Sequence, residues 1–269
     1  MLGNRRLGNI QHIIDKFQLD PSKPAPDSLF FKMWDAAKPI AEATYELPFL
    51  QGILKGTLDP NSYGAYNVAD AYYCDNGAED YGTAAGRADG FPVLREFLLY
   101  KKQRYEKYND SFSQTWHLKG TDGIAPPKAV SIYVRYEEIV TSLLTPAYCL
   151  VAMLPCEYLW YWLAHEMGTP KSGNLYASWI TGNDYPDGAY AMGNVLDTYQ
   201  KEYPHLVETD QAVWLYQFAT YCEYADFASG TGAITRLPSS LGLKAPNTAW
   251  ANGWSELNRL YEEFENLAI

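Results

Sequence analysis

Residues 59–77 read DPNSYGAYNVADAYYCDNG, and they hold the clearest helix start in the chain. Asp59 is a good N-cap, and Pro60 takes the first helical position, where its missing N–H costs nothing. From there Tyr63, Tyr66, Asp70, Tyr73 and Gly77 fall at steps of 3, 4, 3 and 4, which puts them on one face of a helix. A stripe of Tyr and Asp at core spacing is chemically informative, because a buried carboxylate needs a hydrogen-bond partner. Two placements fit the pattern. Either this stripe faces the interior, or it faces water and Ala65, Val68 and Ala69 supply the buried side.

Helical spacing continues in both directions. Upstream, residues 18–27 (QLDPSKPAPD) form a proline-rich entry, so 1–27 read as an N-terminal extension. Asp27 is expected to cap a helix running to about residue 45, with Phe30, Met33, Ala37, Ile40 and Ala41 as its apolar stripe. Leu47-Pro48-Phe49 ends it, and a short segment reaches Gly56. Downstream, the Gly- and Ala-rich residues 84–96 are expected to turn the chain, and a charged, Tyr-rich helix follows at about 91–109. After a loop with Gly120, Gly123 and Pro126-Pro127, a helix is expected over 128–144. Thr145-Pro146 then restarts the chain as cap and first-turn proline, and the helix runs to Met167, stopped by Gly168. Pro155 lies inside it and predicts a kink one residue before Cys156.

Further helices are expected at about 189–203, 209–228 and 248–267. The last carries Trp250, Trp254, Leu257, Tyr261 and Phe264 on one side and Glu256, Glu262, Glu263 and Glu265 on the other. No alternating strand pattern, internal repeat or linker interrupts the series. One all-α domain over residues 1–269 is the economical reading.

Composition excludes several partners. The formal net charge is −11, so phosphate backbones and anionic lipid surfaces are repelled. Lys101, Lys102, Arg104 and Lys107 are interleaved with Tyr and Glu rather than clustered. The longest apolar run, near 143–154, is too short and interrupted to span a bilayer. The start MLGNRRLGNIQHIIDKF has no signal-peptide core, and Asp15 disfavours a mitochondrial presequence. Cys74, Cys149, Cys156 and Cys222 are scattered and form no CxxC, which fits a reducing, cytoplasmic setting. His12, His117, His165 and His205 are far apart, no HExxH occurs, and neither phosphate-loop pattern is present. Neither a metal nor a cofactor is expected. The 23 Tyr and 8 Trp suit a packed interior that still offers hydrogen bonds, and equally a Tyr-rich core without a site.

An ordered set of short motifs resembles the TenA/thiaminase II family. Gly56-Thr57-Leu58 followed by Tyr66, Asp70 and Tyr73 looks like its "GTL" turn and the helix after it. Leu154-Pro155-Cys156 is similar to the "LPC" around that family's nucleophile, Tyr133 and Tyr136 to a preceding "YxxY" pair, and Trp179-Ile180 to a "WI" element. Glu223 falls where the family carries a late glutamate. The resemblance covers about residues 28–230. It implies a heme-oxygenase-like helical bundle, assembled as a homo-oligomer (tetramer or dimer), that hydrolyses thiamin or an aminomethylpyrimidine.

Carried over by position, Cys156 would add to the pyrimidine ring and Glu223 would protonate the leaving amine. Asp70 would hydrogen-bond the amino-pyrimidine edge. Tyr66, Tyr73, Tyr133, Tyr136 and Trp160 would contact the ring or orient the catalytic groups. The residue types suit that chemistry, since a thiol needs a base beside it and a crowded carboxyl can keep a proton near neutral pH. Cys74, Cys149 and Cys222 are assigned to packing. Three positions depart from the family pattern: Ala69 for Gln, Trp160 for Tyr, and Asp226 for Phe. These departures keep open an alternative, a divergent member that binds a small aromatic or hydrophobic ligand without hydrolysing it.

Overall fold

The computed structural model describes residues 21–115, 117, 120–232, 243 and 253–266. The first twenty residues of the expected N-terminal extension and Trp250 of the expected last helix lie outside them. Among the described residues the chain is helix after helix, with no strand. The helices are α1 Leu29–Tyr45, α2 Pro48–Lys55, α3 Pro60–Arg87, α4 Pro92–Thr115, α5 Lys128–Leu143, α6 Tyr148–Met153, α7 Pro155–Met167, α8 Ala177–Asn183, α9 Asp187–Glu202, α10 Thr209–Ser229 and α11 Trp254–Glu265.

Helix α3 begins as its sequence dictates. The Asp59 side chain accepts from the N–H of Asn61 at 2.9 Å, with Pro60 directly after it. It then runs 28 residues, into the start of the Gly- and Ala-rich stretch expected to turn the chain. Alanines are strong helix formers, and Ala84 and Ala85 are buried, so the turn falls at residues 88–91, within the expected 84–96. The Tyr and Asp stripe faces inward: Tyr66, Asp70, Tyr73 and Gly77 are buried, Tyr63 is half-buried, and Ala65 is exposed. At Gly77 an added Cβ would stand 3.0 Å from Met153 and Tyr105, so glycine lets α3 close on α4 and α6.

Two caps differ from expectation. Ser28, not Asp27, caps α1, because its hydroxyl accepts from the N–H of Phe31. The segment after Thr145 is two helices, not one kinked helix from residue 146. Helix α6 starts at Tyr148, and Leu154 separates it from α7. Pro155 has no N–H to continue α6, yet its fixed φ suits the first position of a new helix. Cys156 therefore sits in the first turn of α7.

Helix α10 is the central element. Every residue from Phe218 to Ala228 is buried, and α10 packs against α1, α2, α3, α5, α6 and α7. A helix enclosed on all sides draws any carboxylate it carries into the interior, which is where Glu223 and Asp226 lie. The buried apolar side chains form one contiguous cluster that includes residues of every helix. In α11, Trp254, Leu257, Tyr261 and Phe264 point inward as expected, joined by Leu260.

Candidate active site

The site is built where α3, α5, α7 and α10 meet. Cys156 Sγ lies 3.0 Å from Glu223 Oε1, with the thiol as donor. The Tyr133 hydroxyl donates to the same oxygen at 3.0 Å and stands 3.4 Å from the sulfur. Trp160, one helical turn after Cys156, donates its indole N–H to Glu223 Oε2 at 3.0 Å. Both carboxylate oxygens are thus held by groups from two other helices.

Tyr73 completes the cluster from α3. Its hydroxyl touches Cys156 Sγ and donates to Glu137 Oε1 at 2.6 Å. Its ring stacks on Tyr133, with centroids 4.7 Å apart and planes 30° from parallel. The first turn of α7 is further tied down by an ion pair between Glu157 and the buried Lys101 of α4.

Asp70 lies one turn before Cys74 on α3. It accepts from Cys74 Sγ at 3.7 Å and from the Tyr108 hydroxyl at 3.3 Å. Burial, reinforced by repulsion from Glu223, pushes its carboxyl up to about 7. Burial also raises Glu223, while hydrogen bonds from Cys156, Trp160 and Tyr133 work against the rise by favouring the ionised form. Cys156 is pushed well above the usual thiol range by burial, then by the charges of Glu223 and Glu137. A position in a helix's first turn would favour the thiolate, but two carboxylates outweigh it. The resting sulfur keeps its proton and needs an adjacent base. Glu223 Oε1 is in position to be that base.

Of the residues expected in the site, Cys156, Glu223, Tyr73, Tyr133 and Trp160 meet directly, and Asp70 lies within electrostatic reach. Tyr66 sits to one side, stacked on Phe227 at 5.4 Å and 6.2 Å from Trp160. Tyr136 stays apart. Its hydroxyl donates to the Leu215 carbonyl at 2.8 Å and its ring packs edge-on against Phe218, which fastens α5 to α10.

Several residues at the site were not singled out by sequence. Glu137 is fully buried and holds Tyr73. Cys74, assigned to packing, is buried but also donates to Asp70. Asp226 was a departure from a pattern only, yet it is buried beside the other acids. Helical spacing carried a signal for each: Glu137 is four residues after Tyr133, Cys74 four after Asp70, and Asp226 three after Glu223. Among the described residues, no helix is long and apolar enough to cross a membrane. No group of three or more His, Cys, Asp or Glu among them is arranged to hold a metal ion.

The fold and this cluster define an all-α protein of the heme-oxygenase-like class, with a cysteine and a carboxylate facing each other in its interior. A family model described as TENA/THI-4/PQQC matches residues 34–190, more than half of the sequence, and the chain belongs to that family. A curated relative, the aminopyrimidine aminohydrolase of Staphylococcus saprophyticus, is 26% identical over 156 residues, covering 54% of this chain and 67% of the relative. Among solved structures, a TenA homologue from Pyrococcus furiosus superposes with a TM-score of 0.65 at 15% identity, covering 75% of this chain and 99% of that one. A TenA homologue from P. horikoshii OT3 gives a TM-score of 0.64 at 14% identity, over 76% and 98%. A protein described as a TenA family transcription regulator, from Silicibacter sp. TM1040, gives 0.61 at 18% identity, over 76% and 96%. At these identities the structural matches speak for the fold.

Proposed function

We propose that this protein hydrolyses a C–N bond of an aminopyrimidine, thiamin or an aminomethylpyrimidine, in the manner of a thiaminase II. The observation that carries this reading is the 3.0 Å contact between Cys156 Sγ and Glu223 Oε1, with Tyr133 bridging the pair. In this scheme the sulfur adds to the pyrimidine ring and its proton passes to Glu223. A neutral leaving amine takes that proton from the resulting carboxylic acid as the C–N bond breaks. A nitrogen already cationic departs instead as the neutral base, and Glu223 keeps the proton for the later return to sulfur. Water then adds at the vacated carbon, and expulsion of the sulfur restores the thiol. The net change is water in and amine out.

Asp70, positioned by Cys74 and Tyr108, hydrogen-bonds the amino edge of the ring in this scheme. A carboxyl titrating near neutrality can donate or accept there without a large energetic cost. Tyr73 and Tyr133 supply flat faces and hold the sulfur between their hydroxyls. The same reading takes the protein to be a cytoplasmic homo-oligomer.

The test is incubation with thiamin and with the aminomethylpyrimidine, comparing wild type with Cys156→Ser and Glu223→Gln. Release of hydroxymethylpyrimidine should fall by about 10²–10⁴ in both variants, the range set by loss of an acid/base group or activated nucleophile. Turnover that persists in Cys156→Ser would refute the cysteine-dependent scheme. Tight binding of a small aromatic ligand with no turnover in wild type would favour the non-hydrolytic alternative.

A further inference from the structure

Three residues along α10 from Glu223, Asp226 presents a second carboxylate on the same side of the helix. It is 7% exposed, and its Oδ1 has no hydrogen-bond partner. Its carboxyl is within electrostatic reach of Tyr66, which belongs to a corner of aromatic rings. Tyr66 stacks on Phe227 with planes 17° from parallel, and Trp160 lies 5.7 Å from both Phe227 and Trp179. Trp179 closes the corner at 6.4 Å from Phe227. The Tyr66 hydroxyl and the Trp179 indole N–H are likewise buried and without partners.

A buried polar atom without a partner is costly and uncommon in a folded protein. Three in one aromatic corner, next to the base of the proposed reaction, mark a place built for something outside the chain. Charge chooses the class of ligand. Aromatic faces attract cations, and a desolvated carboxylate is satisfied best by one. Burial, and then repulsion from Glu223 and Asp70, pushes the Asp226 carboxyl well above the usual carboxylate range, so a positive group among the three relieves the repulsion and favours the ionised form.

We propose that Asp226, with the rings of Tyr66, Trp160, Trp179 and Phe227, forms a subsite beside Glu223 for a cationic nitrogen on the leaving half of the substrate. The proposal rests on the C–N hydrolase reading for the word "leaving". The chemical class is a protonated alkylamine or an onium group attached to an aromatic ring through one carbon. A neutral substituent offers the buried Asp226 carboxyl no counter-charge, so the corner favours the cation over it. Phe at residue 226, the type that the TenA/thiaminase II resemblance leads one to expect, offers no such choice. Trp160 joins the two halves of the site, because it belongs to the corner and also donates to Glu223.

The test uses full-length protein carrying Cys156→Ser, which prevents turnover, and equilibrium titration with two matched pairs of probes. The first pair is aminomethylpyrimidine, cationic near neutral pH, against neutral hydroxymethylpyrimidine. The second is benzylammonium against benzyl alcohol. The cation of at least one pair should bind more tightly by about tenfold or more, as a cation–π or charge-assisted contact supplies. Asp226→Asn and Asp226→Phe, each checked for native circular dichroism, should erase that preference. Equal affinity within both pairs, or a preference that survives both substitutions, would overturn the subsite. Turnover by wild type with no charge preference sinks the subsite alone. An Asp226-dependent preference for benzylammonium, with neither pyrimidine bound, sinks the pyrimidine reading and leaves the cation subsite standing.

Discussion

The indole N–H of Trp160 donates to Glu223 Oε2 at 3.0 Å, from the helix that also carries Cys156. One helix thus supplies both the sulfur and a donor that favours the ionised form of the carboxylate facing it. Removing that donor should raise the Glu223 pKa. If Glu223 must be ionised to take the thiol proton, activity is lost as pH falls through its pKa. Trp160→Phe should therefore move the acid limb of kcat/KM to higher pH and lower the plateau by about tenfold, as expected for one lost hydrogen bond to a charged group. A pH–rate profile checks it, and a limb that stays put or moves to lower pH refutes it.

Glu137 touches no expected substrate position and acts through Tyr73, whose hydroxyl it accepts at 2.6 Å. That hydroxyl also touches Cys156. Glu137→Gln and Tyr73→Phe should each lower kcat by about tenfold, and the double variant should be little worse than either, because residues acting as one unit are not additive. KM should change little in either variant, because Tyr73→Phe keeps the ring that stacks on Tyr133 and Glu137→Gln leaves it in place. Additive losses in the double variant would show that Glu137 acts by another route.

Asp80 reports on the pH dependence of the fold, at a distance from the proposed chemistry. It is buried on α3, its Oδ1 accepts from the Thr141 hydroxyl at 2.9 Å, and its Oδ2 has no partner. Burial pushes the carboxyl up to about 7. The folded state therefore holds a proton that the unfolded chain releases near pH ~4, so stability falls as pH rises from about 4 to about 7 and then levels off. Asp80→Asn keeps the acceptor for Thr141 and removes that loss. At about pH 8 it should be more stable by about 4 kcal/mol, with a difference near zero at about pH 4. Denaturant melts at the two pH values decide it, and equal effects at both would contradict the assignment.

Much of the fold was legible because it depends on local rules. The Asp59-Pro60 start, the 3–4 spacing of Tyr66, Asp70 and Tyr73, and the stop at Gly168 were all correctly read. The turn expected within residues 84–96 falls at 88–91, after packed alanines carry α3 to Arg87. One boundary failed where two local signals competed. Pro155 argued for a kink, but a proline starts a helix as readily as it distorts one, and here it begins α7.

The site was legible in part. Cys156, Glu223 and Asp70 were singled out through ordered motifs, but the departures at Trp160 and Asp226 could be read only as differences. In the structure Trp160 is a hydrogen-bond donor to Glu223, and Asp226 is a buried acid without a partner for Oδ1.

The sequence by itself determined most of the helices, because capping and 3–4 periodicity act within a few residues. Tertiary structure alone decided which of those helix faces meet. Residues 73, 133, 156 and 223 lie on four helices, and only the enclosure of α10 on every side brings the sulfur to its carboxylate. It also decided that Tyr136, spaced one turn from Tyr133, gives its hydroxyl to a backbone carbonyl instead. Periodicity fixes which side chains share a face of their own helix, whereas contact between distant segments depends on how whole faces pack.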